Sequence, residues 1–585
     1  MNPADGAPGW RPWLLGLAAF CLLAVHLLAV ATEGINWDEL ALLQRAQRTL
    51  ATGILESGGR PGLVVVALLP WVDGCSDAVT LAREIRYAWV GLTLLMLAGL
   101  YAFVRRAAPA GEDSAGAAAL AVGVLALAPA FLRWSLQIRT DQPALAGALW
   151  GGVLLLASRE RRRLAPLAGV LFGLGTLCSQ KALYGVALVG VVAALFTVSD
   201  LRSRPIPWRR VLQRDLLRGL GVVVGFAAAV GLYRFWVWSN FTLPQASAVD
   251  RGLEAFAFYR ERLGLRAYWR MAPTLWPQGL LLVLLVAATV STAVRRLAAP
   301  GLAAAWACLG LGMAVGAFHA AAFPYFWMTL GLFPAAAIGL GWGTLTRRLP
   351  PGRGRLLEAA AWLALLAPNL APALARLTDT QRVQRESLAF VARNFPADAL
   401  GYQVEGALLC RQDPRPLPRL LSHQIFVTFT GEGSEARQRA FLEQFRRRPV
   451  SFLVSSFRFE SFPEGMQEFW RSHYVAYRWA VLVAGVRARA RPGTEREIDL
   501  VAGGRYRLHG PEGGPPLRLE LDGRPLDSSG ASAPATLDLA AGTHRLRFLE
   551  GEGLALLTLD LPEAPGAIAE GFYPEAQVSE LRGLP

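Results

Sequence analysis

A row of apolar blocks, each close to the length of a membrane span, constrains this chain more than any other feature. About eleven can be read before residue 375, against the roughly 20 apolar residues a helix needs to cross the hydrocarbon core. They lie at 12–31, 86–104, 115–133, 142–158, 164–179, 183–198, 217–238, 277–294, 301–318, 324–345 and 356–375. The arginines test that reading. Arg105-Arg106, the run from Arg159 to Arg163, the stretch from Arg202 to Arg218, Arg295-Arg296 and the stretch from Arg347 to Arg355 occupy every second connection. This is the positive-inside pattern, and it predicts a cytoplasmic N-terminus with the C-terminal region outside. Ala29-Val30-Ala31 looks like a signal cleavage site, but the apolar run before it is long and only Arg11 precedes it. The first block is therefore read as a retained anchor.

Composition agrees. The chain is 53% apolar and 18% charged, where a soluble domain is about a quarter charged. Its net charge of +15 sits mostly in short loops between apolar blocks, which excludes a nucleic-acid surface of the usual basic, aromatic-interleaved kind. The five cysteines (Cys21, Cys75, Cys178, Cys308, Cys410) are scattered without a Cys-x-x-Cys pair, so neither a zinc nor a redox site is predicted. Cys75 and Cys410 fall on one side of the membrane, which permits a disulfide without predicting one. Of 59 basic residues only Lys181 is lysine, a bias that points to a GC-rich bacterial genome and makes that one ammonium conspicuous.

The predicted fold is a polytopic α-helical membrane domain over residues 1–375. An extracytoplasmic α/β region over 376–490 and a small β-sandwich-like module over 491–585 complete it. Within the first outer loop, 61–71 (PGLVVVALLPW) is too short to span and reads as an interface or re-entrant helix. The outer loop 239–276 is rich in aromatics and arginines, Phe256, Tyr259, Trp269, Arg260 and Arg270 among them. It suits either an aromatic belt or a cover over a substrate cavity. Residues 379–394 and 434–448 have helical spacing, and SFLVSSF at 451–457 reads as a strand. Period-two alternation with glycine turns begins near 494.

Ionisable residues gather at the outer ends of the spans. Asp38 and Glu39, in INWDEL, can accept a proton or hold a cation, or can simply be first-turn acids of the helix that follows. The second outer loop, FLRWSLQIRTDQPALAG, places Arg139 beside Asp141. Asp141 reads as a helix cap, whereas Arg139 suits a carboxylate or phosphate as well as interface snorkelling. Lys181 sits in a minimal loop between two spans, where a half-buried ammonium wants an anionic partner. His319 is read as a proton carrier, a phosphate contact or a satisfied histidine, and Tyr325 belongs to an aromatic interface segment.

The order of these features resembles the GT-C superfamily of membrane glycosyltransferases, in particular its protein O-mannosyltransferase and lipid A aminoarabinose transferase branch. There a first span is followed by a long outer loop that opens on an Asp/Glu motif, matched here by Asp38-Glu39. Arg60-Pro61-Gly62 stand near the place of that branch's Pro-Pro-Leu-like turn. Arg139-Thr140-Asp141 match its charged second outer loop, and Pro324-Tyr325 with Pro334 match a later tyrosine-opened span. The resemblance covers residues 10–375. It implies a polyprenyl-phosphate sugar donor, a lipid, glycan or protein acceptor, and catalysis by Asp38 as base with Glu39 beside it. Arg139, Asp141, Lys181, His319 and Tyr325 become substrate-binding candidates. No obligatory metal or other cofactor is expected, though an acidic pair leaves a divalent cation open. The implied location is a bacterial inner membrane, crossed many times.

Two other readings compete. A transporter or flippase for a lipid-linked or anionic substrate should show polar or broken helices near the midplane. The spans here are Leu, Ala, Val and Gly with charges at their outer ends, which favours surface chemistry. A non-catalytic scaffold leaves the one-sided placement of Asp38, Arg139 and Lys181 unexplained.

Overall fold

The computed structural model describes residues 24–25, 27–55, 62–74, 78–108, 114–203, 207–242, 276–294, 300–319, 324–346, 349–375, 377–378, 381–396, 399, 401–403, 428–455, 459, 462–510, 514–533 and 535–566. Cys21, Cys75, Cys410, Arg60, Pro61 and the aromatic and basic residues of the loop at 243–275 lie outside them. The chain divides into two compact units, one of Met1–Glu33, Arg45–Asp73 and Ala82–Asp379, the other of Gly34–Gln44, Gly74–Leu81 and Thr380–Pro585.

The first unit is helical. In chain order its elements are α1 (Trp37–Thr52, whose first residues belong to the second unit), α2 (Leu63–Val72), α3 (Ala78–Ala107, whose first residues, to Leu81, also belong to the second unit), α4 (Ser114–Ala126), α5 (Pro129–Trp134), α6 (Asp141–Ala157), α7 (Leu164–Cys178), α8 (Ala182–Ser203), α9 (Trp208–Asn240), α10 (Trp276–Val294) and α11 (Pro300–Phe318). A 3-10 turn over Pro324–Phe326 follows, then α12 (Trp327–Leu330), α13 (Leu332–Thr346) and α14 (Pro351–Ala375). Among the described residues four helical stretches are long and apolar enough to cross a membrane: Ala78–Ala107, Ala182–Ser199, Trp208–Asn240 and Trp327–Thr346. The chain is a multi-pass membrane protein.

One expected span is interrupted and another begins on a different kind of turn. The block at 115–133 breaks into α4 and α5 because Pro129 cannot continue a helix but suits the first turn of a new one. The block at 324–345 opens on the 3-10 turn over Pro324–Phe326, and from Trp327 helical backbone runs on through Gly331 (φ −62°, ψ −20°) to Thr346. The segment too short to span is indeed a ten-residue helix, α2, that buries Val64, Val65, Leu68 and Val72.

Glycines set how closely the longer helices approach. A Cβ on Gly169 of α7 would run into the Val222 carbonyl of α9, and one on Gly225 of α9 into the Pro166 carbonyl of α7. Gly147 of α6 would meet Leu171 O of α7 at 2.8 Å. Small residues four apart (Gly169 and Gly173, Gly221 and Gly225) thus let backbones touch, as in membrane helix pairs generally. Around them packs an apolar core that includes Phe103, Phe131, Leu149, Phe172, Phe326 and Phe333.

The second unit is built on sheets. Its elements are α15 (Arg382–Asn394), β1 (Gly401–Tyr402), α16 (Ser434–Arg447), β2 (Phe452–Val454), α17 (Glu464–His473) and strands β3 (Tyr474–Arg478), β4 (Val481–Ala490), β5 (Glu495–Leu500), β6 (Gly504–His509), β7 (Arg518–Leu521), β8 (Arg524–Asp527), β9 (Thr536–Leu539), β10 (Gly542–Glu550) and β11 (Gly553–Leu559). A seven-stranded sheet runs β1-β2-β4-β11-β6-β9 with β3 also on β4, and a four-stranded sheet runs β5-β10-β7-β8. Facing rows from both sheets, including Val486, Ile498, Tyr506, Leu519, Phe548 and Leu557, fill one core. The alternation read from the sequence is the burial pattern of β5 and β6. Strand β4 pairs with β2 at Val481–Val483 and with β11 at Gly485–Ala490, so the chain on the two sides of residue 491 shares one sheet. The two-residue hairpin between β7 and β8 takes Asp522 (φ 51°) and Gly523 (φ 78°), the left-handed pair that an Asp-Gly turn supplies.

Candidate functional site

In the first unit the site starts from a buried stretch that is not regular. Between α5 and α6 every residue from Ser135 to Thr140 is buried. Backbone polar groups there need partners, since no helix or ladder provides them. Side chains do so: Thr93 Oγ1 donates to the Ser135 carbonyl at 2.9 Å, Gln142 Nε2 to those of Ser135 (3.1 Å) and Gln137 (2.9 Å), and Trp89 Nε1 to that of Arg139 (2.8 Å). The segment is therefore held firmly, and it delivers Arg139 and Asp141 to one place.

Asp141 was expected as a helix cap. Instead Thr140 takes the cap position and Asp141 the first helical one, where the helix dipole favours a carboxylate. Its side chain turns to two cations: Lys181 Nζ lies 2.9 Å from Oδ1 and Arg139 Nε 3.4 Å from Oδ2. Arg139 also donates from Nη1 to Gln137 Oε1 at 3.3 Å. Side-chain exposure orders the three: Asp141 at 2%, Arg139 at 6% and Lys181 at 20%. Lys181 is the member with an open side.

Tyr325, brought in by the 3-10 turn, forms the floor. The Arg139 guanidinium carbon sits 3.6 Å from its ring centroid and Lys181 Nζ 4.7 Å. Cations over an aromatic face gain most where water is excluded. Trp134 meets Tyr325 edge-on at 5.8 Å and lies 5.8 Å from the Arg139 guanidinium. His319 joins through its neighbours. It stacks on Phe326 at 3.6 Å with 17° between planes, its Nδ1 is 3.1 Å from Tyr184 Oη, and Lys181 Nζ is 5.5 Å from Phe326. The structure thus brings Arg139, Asp141, Lys181, Tyr325 and His319 into one cluster. Phe326 was read only as part of the aromatic interface segment, and Trp89, Trp134 and Tyr184 were not singled out from sequence. Tyr184 had a signal, since it lies in the first turn of the helix that Lys181 immediately precedes.

Asp38 and Glu39 lie in the second unit, at the start of α1. Asp38 N–H donates to Asn36 Oδ1 at 2.9 Å, and Asn36 N–H donates to Glu39 Oε2 at 2.8 Å. This reciprocal pair is a capping box, with Asn36 as the cap and Glu39 three residues on. Glu39 is fully buried, whereas the Asp38 residue is half-buried. Among the described residues no group of three or more His, Cys, Asp or Glu is placed to hold a metal ion.

No protein-family model matches the chain, and no curated protein matches its sequence. Solved structures do. ArnT from Cupriavidus metallidurans bound to undecaprenyl phosphate superimposes with a TM-score of 0.53 at 15% identity, over 82% of this chain and 98% of that one. Its apo state gives 0.52 over the same shares, also at 15% identity. The oligosaccharyltransferase of Archaeoglobus fulgidus in complex with Zn and sulfate gives 0.43 at 14% identity, over 78% of this chain and 71% of that one. ArnT is a lipid A aminoarabinose transferase, and both proteins are GT-C glycosyltransferases. At such identities the likeness is one of fold.

Proposed function

Because the chain carries the GT-C membrane fold, we propose that it is a glycosyltransferase that takes a sugar from a polyprenyl-phosphate donor and passes it to an extracytoplasmic acceptor. The observation that carries the proposal is the pairing of Arg139 and Lys181 over the Tyr325 ring, beside Asp141. Arg139, Lys181 and Asp141 together hold one net positive charge (two cations, one carboxylate), at a place with little water. Such a cluster suits a phosphate that is bound as a diester and leaves as a monoester with added charge. Undecaprenyl phosphate in the ArnT structure is a ligand of that class.

In the reaction Asp38 accepts the proton of the acceptor hydroxyl or amine as that atom attacks the anomeric carbon. The bond from that carbon to the phosphate oxygen breaks, and the electron pair leaves with the lipid phosphate. Arg139 and Lys181 stabilise the charge that develops there. Asp141 keeps the two cations apart and oriented, and Tyr184 with His319 borders the cluster. Glu39 serves Asp38 by starting α1 in the right direction. The arginine alternation supports about eleven crossings, a cytoplasmic N-terminus and an extracytoplasmic second unit in a bacterial inner membrane.

Binding tests the phosphate role directly. Purified protein in detergent should bind undecaprenyl phosphate, and Lys181→Ala should weaken that binding by about tenfold or more, the scale of one charge-assisted hydrogen bond. Unchanged affinity in Lys181→Ala and Arg139→Ala would remove the cluster from the donor site.

A further inference from the structure

We propose that Gln384 is a positioning residue for the Asp38 carboxylate, acting through the backbone of Ile35; this rests on the reading of Asp38 as the base. Gln384 lies in the first turn of α15, 349 positions from Ile35. Its carboxamide grips both polar groups of that residue. Ile35 N–H donates to Gln384 Oε1 at 2.8 Å, and Gln384 Nε2 donates to Ile35 O at 2.9 Å. A carboxamide offers an acceptor and a donor side by side, so this one side chain replaces a rung of strand pairing. Ile35 is 5% exposed and belongs to the irregular stretch before α1. Its backbone would otherwise be buried without the partners that regular structure provides.

The chain from that grip to the carboxylate is short. Asn36 follows Ile35 directly and caps α1, receiving Asp38 N–H on Oδ1 while its own N–H is fixed by Glu39. Fixing Ile35 therefore fixes the cap, and the cap fixes the direction of the first turn that carries Asp38. The anchor behind Gln384 is itself tied down. Ala480 N–H donates to Ser387 Oγ at 3.1 Å, and Asn394 exchanges hydrogen bonds with Glu563 (Nδ2 to Oε1, 3.1 Å; Glu563 N–H to Oδ1, 3.0 Å). Phe390 and Val391 are fully buried against the sheet. The C-terminal region thereby becomes the frame on which the base is mounted.

Two variants test this in the full-length protein. In Gln384→Met, of similar length but unable to form either bond, hydrogen exchange in peptides covering residues 34–44 should rise about tenfold or more. Peptides from β4 and β10 should stay at the wild-type rate. Where an undecaprenyl-phosphate-linked sugar supports turnover, kcat should fall by up to about 100-fold, the usual cost of a misplaced catalytic group, with donor KM unchanged. Gln384→Glu adds a reading that a purely structural role does not move. Its protonated acid can restore both bonds, so its kcat relative to wild type should climb as pH falls through the carboxyl range, while the Gln384→Met ratio stays flat. Wild-type exchange at 34–44 in Gln384→Met, or a kcat loss matched by a loss of folded protein, overturns the proposal. Asp38→Asn separates the two claims. If it keeps full turnover, the reading of the base fails; if it is inactive while Gln384→Met turns over normally, only the positioning role fails.

Discussion

At the scale of single residues the two neighbouring acids part company. Glu39 receives the Asn36 N–H from a buried position, so its carboxylate has a structural task that an amide oxygen can also perform. Glu39→Gln should retain near wild-type turnover, and Glu39→Ala should lose about 1 kcal/mol of stability, the usual cost of a lost cap. Thermal unfolding beside a turnover assay checks both, and an inactive, fully folded Glu39→Gln would return a chemical role to that residue. Tyr325 offers a similar contrast. Its ring underlies Arg139 and Lys181, so Tyr325→Phe should keep affinity for undecaprenyl phosphate and Tyr325→Leu should lose about tenfold, near the 1–2 kcal/mol of partly buried cation–π contacts. Equal loss in both would assign the role to the hydroxyl. The start of α1 was legible in its first-turn acids, Asp38 and Glu39, but Asn36 was not singled out as the cap. The grip of Gln384 on Ile35 was not legible, because no local rule links residues 349 positions apart.

Among elements, glycine decides how α7 and α9 meet. Each of Gly169 and Gly225 faces a backbone carbonyl of the other helix, which cannot move aside as a flexible side chain would. Gly225→Leu should force the helices apart and destabilise the protein in detergent by about 1–3 kcal/mol or more, the range for an overpacked core. Gly219, with open space around its Cβ position, should accept alanine with little change. Equal melting of Gly225→Leu and Gly219→Ala would dismiss the close approach. Apolar periodicity found the helices well because a span must be long and apolar whatever surrounds it. It missed the break at Pro129, where hydropathy does not change but the backbone does. It also missed that the polar residues of Ser135–Thr140 would be buried along with Leu136 and Ile138, by partners from α3 and α6.

For the whole molecule, one histidine in the β-sandwich links stability to pH. Burial first, and the charge of Arg507 second, push the His509 pKa down to about 4 from its ordinary 6.5. The folded chain then binds fewer protons than the unfolded chain between those values, so stability falls as pH drops from neutral towards 4. Limited proteolysis of the 474–566 region at pH 7 and pH 5 should show that loss in wild type and less of it in His509→Gln; equal sensitivity would contradict it. The proposed roles fall to residues of different units: the first unit holds Arg139, Lys181 and Tyr325, and the second carries the segment with Asp38. Its most direct test is turnover. Purified protein incubated with undecaprenyl-phosphate-linked sugars and candidate acceptors should release undecaprenyl phosphate, and folded Asp38→Asn should release it at least about 1,000-fold more slowly, as expected on removing a general base. Release at the wild-type rate by Asp38→Asn would contradict the account at its centre.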